Sequence, residues 1–128
     1  MKKLFAANLI LAVVSAAYAG GPCLEFARHE TDLGVFDADS VQTAGIVVRN
    51  TGDESLAILH VHTDCRCTRP ADYDDIVAPG DSTVLTVTYD GRGHSPGRIR
   101  QALRVRSNAV KPYSTCYIVG EIRRREQK

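Results

Sequence analysis

The chain has 128 residues, with 16 Lys plus Arg against 15 Asp plus Glu and a formal charge of +1. That balance argues against a dedicated nucleic-acid binder, which carries a strongly basic domain. The length suits one domain, and the four cysteines make redox compartment the first question.

Residues 1–19 read as an export signal. Lys2 and Lys3 form a basic start, and Leu4 to Ala17 is apolar apart from Asn8 and Ser15. Ala17 and Ala19 then place small residues at −3 and −1 of a cleavage site before Gly20. The apolar run is shorter than the roughly 20 residues that span a bilayer. Pro22 precedes Cys23 where a lipoprotein cysteine follows a small residue. The expectation is a periplasmic or secreted protein with no membrane anchor after cleavage. The leader holds two of the 16 basic residues and none of the 15 acids, so 14 against 15 remain in the mature chain.

The remainder reads as strands separated by turn chemistry. Leu24 to Phe26, Asp32 to Phe36 and Val41 to Arg49 are followed by the turn cluster Asn50 to Ser55, where Asn and Gly tolerate positive φ. Ser55 to Thr63 is the next strand. Arg69 to Asp75 is read as loop and Ala78 to Asp81 as a turn. Ser82 to Tyr89 is a strand, Gly91 to Gly97 a loop, and Ile99, Gln101, Leu103 and Val105 mark another strand before Tyr113 to Ile122. Short strands with turns every 8–12 residues predict an antiparallel sandwich. The expected architecture is an all-β, immunoglobulin-like antiparallel sandwich of seven or eight strands, with the domain at 20–122 and a charged tail at 123–128. Val48, Leu56, Ile58, Val87, Leu103, Val105 and Ile118 hold the apolar positions of that pattern and are the expected core.

The order Asp32 to Phe36, Val48 to Gly52, Leu56 to Ile58, Cys65-Arg-Cys-Thr68, Ala78-Pro-Gly80, Val87 to Asp90, Val105 to Asn108 and Ile118 to Gly120 resembles the bacterial family of domains of unknown function numbered 1573. That family is similar to immunoglobulin-like domains of the major-sperm-protein and pilus-chaperone type. The resemblance implies the sandwich fold and names no activity. The residue between the paired cysteines is usually Gly in that family and is Arg66 here. Cys23 and Cys116 are additions to its usual pattern.

The chemistry concentrates between His60 and Thr68. Cys65 and Cys67 sit two apart, so in an extended segment both sulfurs point one way. Their Cα atoms then lie roughly 6.5 Å apart, near the upper limit for a disulfide, and a direct bond needs a kink. Three readings compete. Cys23, Cys65, Cys67 and Cys116 form two structural disulfides of about 2–4 kcal/mol each. The pair binds a soft metal, copper or zinc, with His60 and His62 completing His-x-His-x-x-Cys-x-Cys. The pair exchanges with other thiols, with Arg66 favouring the thiolate. The reading taken is structural, with at least one of Cys65 and Cys67 bonded to Cys23 or Cys116. If Val61 faces the core, His60 and His62 face solvent. His29 and His94 have no local partner.

Arg98, Arg100, Arg104 and Arg106 share a parity and form a basic stripe, an anion site if it is more than a solvated strand face. Asp72, Asp74 and Asp75 lack the Gly and bidentate Glu of a calcium loop. No nucleophile elbow, phosphate-cradling loop or zinc-protease helix occurs. The sequence therefore predicts a non-catalytic binding or scaffolding domain without cofactor. It would meet a protein partner through an exposed sheet edge. The competing class is a periplasmic metal-binding or thiol-redox protein centred on residues 60–67.

Overall fold

A computed structural model describes residues 20–124, so the expected leader and residues 125–128 of the tail lie outside the described residues. Two sheets stack face to face. One has the order β1-β3-β7-β5, built from Leu24–Phe26, Val41–Asn50, Ser82–Asp90 and Thr68–Ala71. The other has the order β2-β9-β8-β4-β6, built from Glu30–Asp37, Tyr113–Arg123, Gly97–Ser107, Leu56–Thr63 and Ile76–Val77. All pairs are antiparallel except β2 with β9, which is parallel.

The sandwich follows from period-two burial. On β7, Thr83, Leu85, Val87 and Tyr89 point inward while Val84 is exposed. On β8, Leu103, Val105 and Ser107 point inward while Arg104 and Arg106 point out. The inner faces merge into one apolar cluster that contains all seven expected core residues. Leu103 and Ile118 are fully enclosed, and removing such an area from water stabilises the fold by roughly 25 cal/mol per Å².

Two departures from the predicted strands have local causes. Arg69 to Ala71, expected as loop, is strand β5, paired along β7 from Thr68↔Tyr89 to Ala71↔Thr86. Pro70 is compatible with that role because β5 is an edge, where a missing donor goes unused. The last strand runs through Arg123, one residue past the expected domain end, and Arg123 Nε donates to Asp37 Oδ1 at 2.8 Å.

The corner between β3 and β4 shows how the Asn-Thr-Gly cluster works. Asn50 is buried. Its side-chain amide donates to the carbonyls of Glu54 (2.7 Å) and Val77 (3.0 Å), and its oxygen accepts from the backbone N–H groups of Cys23 (3.3 Å) and Gly52 (2.9 Å). One side chain thus ties β1, β3 and β6 together, with its hydrogen-bonding groups satisfied. Gly52 is required there because an added Cβ would collide with the Gly21 carbonyl oxygen.

Candidate functional site

The second corner lies where β4 leaves one sheet and β5 enters the other. The crossing is made by Asp64 to Cys67, which form a turn instead of continuing the strand. Thr68 N–H donates to Cys65 O at 3.1 Å and closes the turn. The Thr63 hydroxyl spans it, 3.2 Å from Cys65 O and 3.0 Å from Thr68 O. Asp90 N–H donates to Cys67 O at 2.8 Å, which pins the turn to the end of β7.

That turn changes the disulfide arithmetic. It brings the Cα atoms of Cys65 and Cys67 to 5.1 Å, inside the range for bonding, and the two sulfurs are joined to each other. Cys23 and Cys116 form no disulfide. The expected pairing of Cys65 or Cys67 with Cys23 or Cys116 is therefore corrected. Cys23 immediately precedes the outer strand β1 and is exposed, whereas Cys116 faces the core opposite Leu103. Burial pushes the Cys116 thiol up to about 12, which makes it an inert core side chain. Closing a three-residue ring removes little freedom from the unfolded chain, about 1.5 kcal/mol on the loop-entropy relation. The bond falls short of the stabilisation expected of a long-range crosslink.

The histidine beside the pair is not one the motif offers. His60 and His62 lie on the outer face of β4, opposite Arg106 and Arg104, while Val61 points inward. His62 Nε2 pairs with Asp64 at 3.2 Å. The side chain that reaches the cysteines is His94, from the loop between β7 and β8. The Cys65 and Cys67 sulfurs and a His94 ring nitrogen all lie within 4.8 Å of one another, and among the described residues no other group of metal-ligating side chains converges in this way. The sequence shows no partner for His94 because nothing in its own Gly-rich segment supplies one. The pairing of β5 with β7 is what carries the cysteine turn to the base of that loop.

The loop is held in shape. His94 N–H donates to Gly91 O at 3.1 Å, and Gly91 N–H donates to Ser40 O at 3.3 Å. Gly93 adopts φ of +84°, a region that suits glycine. The Arg92 guanidinium grips Asp90 through two bonds, at 2.9 and 2.7 Å. Those bonds, with a further one from Arg92 N–H, hold the Asp90 carboxyl down at about 2. The His94 ring sits 6.0 Å from that of Tyr89, whose other neighbour is Phe36 in an edge-to-face contact at 5.9 Å. Tyr89 is 1% exposed, and its hydroxyl has no hydrogen-bond partner among the described residues. Burial, with a smaller contribution from the Asp90 charge, raises that phenol above its ordinary value.

The two sulfurs differ. Cys67 is buried and its sulfur lies 3.7 Å from the Thr68 hydroxyl, whereas Cys65 is half-exposed. Cys67 N–H donates to Cys65 Sγ at 3.2 Å. Arg66, between them, is exposed.

The arginine stripe lies on the outer face of β8. Arg98 is opposite Glu121, and Arg100 pairs with Glu30 at 3.3 Å while stacking over Tyr117 at 4.0 Å. Arg104 and Arg106 face the two β4 histidines on one side and Thr115 and Tyr113 on the other. Asp72, Asp74 and Asp75 do not converge as a group of metal-ligating side chains. Their backbone is used instead, Asp74 N–H donating to Thr83 Oγ1 at 3.0 Å and Asp75 O accepting from Ile58 N–H at 2.8 Å.

Residues 24–122 match the model of a family described as "Protein of unknown function (DUF1573)". The chain belongs to that family. Among solved structures it is similar to a protein of unknown function from Porphyromonas gingivalis W83, with TM-score 0.69 and 21% identity over 82% of this chain and 49% of that one. It therefore spans about half the length of that protein. It is also similar to the ASH / PapD-like domain 7 of human CEP192, with TM-score 0.66 and 11% identity over 80% of this chain and 87% of that domain. A third likeness is to the secreted serine protease VesC of Vibrio cholerae, with TM-score 0.59 and 17% identity over 77% of this chain but 23% of that protein. These identities speak for the fold alone, an immunoglobulin-like sandwich of the PapD type. No curated protein matches.

Proposed function

We propose that this DUF1573 domain is an exported, non-catalytic binding module whose working centre is the Cys65–Cys67 pair beside His94, switched by opening and closing the disulfide. The observation that carries the reading is the convergence of two bonded sulfurs and an imidazole, drawn from separate loops, at a half-exposed corner. A bond that contributes so little loop entropy serves stability poorly, and Cys65 is half-exposed, where an external thiol can reach it.

In the opening step a thiolate of an external dithiol attacks the more exposed Cys65 sulfur. The Cys65–Cys67 bond breaks and its electron pair leaves with Cys67 as a thiolate. The donor's second thiolate then attacks its own sulfur in the mixed disulfide and releases Cys65. Two electrons pass to the pair, and the donor ends as a disulfide.

An edge-docking protein partner has less support. Strands β1 and β6 have three and two residues. Strand β5 carries Pro70, and β2 is broken in register between Asp32 and Val35. These are devices that blunt an edge.

The test is a thiol count by alkylation and mass, before and after equilibration in a dithiol buffer, with circular dichroism alongside. Two further thiols should become reactive together while the β-sheet spectrum persists. A pair that stays reduced in oxidising buffer, or opens only when the domain unfolds, overturns the reading. N-terminal sequencing should find Gly20 at the start of the protein in a non-cytoplasmic fraction, and Met1 retained in the cytoplasm defeats the exported part.

A further inference from the structure

We infer that the open form binds one Cu(I) ion through Cys65 Sγ, Cys67 Sγ and a ring nitrogen of His94. The inference rests on the reading above that the pair opens in the folded protein. Three donor atoms from two backbone segments already lie within 4.8 Å of one another. Opening the bond lets the sulfurs part toward roughly 4 Å, the span across a three-coordinate metal with ligand bonds of about 2.3 Å. The surrounding backbone need not rearrange for this, because the turn is held by Thr63, Thr68 and Asp90 and the His94 loop by Ser40, Gly91 and Arg92.

The donor set selects the ion. Thiolate and imidazole ligands favour soft or borderline metals, Cu(I) and zinc before calcium or magnesium. Zinc closes a structural site with four protein ligands and with three needs a water to complete its tetrahedron, whereas this cluster offers three. Asp64, the nearest carboxylate along the chain, is turned to His62. Three donors suit a low-coordinate Cu(I).

Charge and access agree with this. Two thiolates and one Cu(I) leave a net −1, and Arg66 is in the same turn to offset it. Cys65 is half-exposed and His94 exposed, so the ion enters from solvent. The ring of Tyr89, whose buried hydroxyl has no hydrogen-bond partner among the described residues, lies 6.0 Å from the His94 ring. Binding forms two Cu–S bonds and one Cu–N bond and releases the two thiol protons to water. Copper stays Cu(I) throughout, and the closed disulfide has no thiolate to offer it.

The experiment is anaerobic titration of the fully reduced full chain with Cu(I), in competition with bicinchoninate as a chromogenic chelator. A Cys23→Ser background removes the exposed fourth thiol. The thiol count is taken first. If Cys65 and Cys67 are not reduced in a folded protein, the switch reading has failed before metal is added. With the pair reduced, one Cu(I) per chain is expected, and the oxidised protein should take none. Cys65→Ser should abolish stoichiometric uptake. His94→Ala should weaken it by roughly tenfold or more, since even outer partners of metal ligands are worth about 10–100-fold. His60→Ala together with His62→Ala should leave it unchanged. The Cu(I) assignment is overturned if the reduced protein binds no copper or takes zinc alone at one per chain. It is also overturned if His94→Ala binds copper as tightly as the parent.

Discussion

The two corners of this sandwich do opposite things with their polar groups. At the Asn50 corner the donors and acceptors of one buried side chain are matched, and a glycine admits the backbone that it binds. Beside the Cys65 corner, Tyr89, paired with Thr68, has a buried hydroxyl without a hydrogen-bond partner among the described residues, a histidine stands exposed, and the disulfide spans three residues. Saturated hydrogen bonding marks a joint that holds strands together. Convergent but unsaturated groups mark a place where something else is expected to bind. Both corners are turns between strands, so the contrast comes from side-chain chemistry and not from exposure alone.

The sharpest ways to break that contrast are measurements of stability. Leu103→Ala, in the core that both corners flank, should cost roughly 2–5 kcal/mol through lost transfer energy and a cavity. Urea unfolding will show it, and a change within about 0.5 kcal/mol, typical of exposed sites, removes Leu103 from the core. Asn50→Ala should cost about 2–3 kcal/mol, because the Val77 carbonyl and the neighbouring groups lose their partner in a buried place. Cys65→Ser, by contrast, should cost about 1.5 kcal/mol or less. If it proves more damaging than Asn50→Ala, the cysteine corner is a structural joint after all.

Smaller still is the acid limb. The folded Asp90 carboxyl is held near 2 by Arg92, below its ordinary value of 3.8. A depressed carboxylate contributes stability that is complete above its unfolded value and is lost as pH falls through the folded one. The parent should therefore lose this contribution between about pH 4 and 2, and Asp90→Asn should flatten the stability profile there. Because the group is at the surface, the effect is expected to be slight. An unchanged acid limb in Asp90→Asn shows that the Arg92 grip does not extend to the stability of the fold.

Much of the fold was legible because it depends on local alternation. Val48, Leu56, Leu103 and Ile118 occupy inward positions that period-two patterning marks directly, and Asn50 to Gly52 reads as a turn from its own chemistry. Strand β5 escaped because Arg69, Pro70 and the aspartates after it have loop composition. Its strand character comes from the backbone partners that β7 provides. The candidate site was half legible. Two cysteines two apart announce chemistry, but in an extended segment their Cα atoms sit near the upper limit for a bond, and the turn that brings them closer is made by bonds from Thr63, Thr68 and Asp90.

The sequence by itself determined the sandwich, its core and the presence of a close cysteine pair at residues 65–67, since each rests on residues near one another in the chain. Tertiary structure alone decided which histidine lies beside the cysteine pair. His60 and His62 are close in sequence, but the alternation of β4 that buries Val61 turns both outward. His94 is 27 residues beyond Cys67 and reaches it because β5 pairs with β7 and delivers both loops to one end of the molecule. Pairing between sheet neighbours is a long-range contact, and no pattern within either segment encodes it.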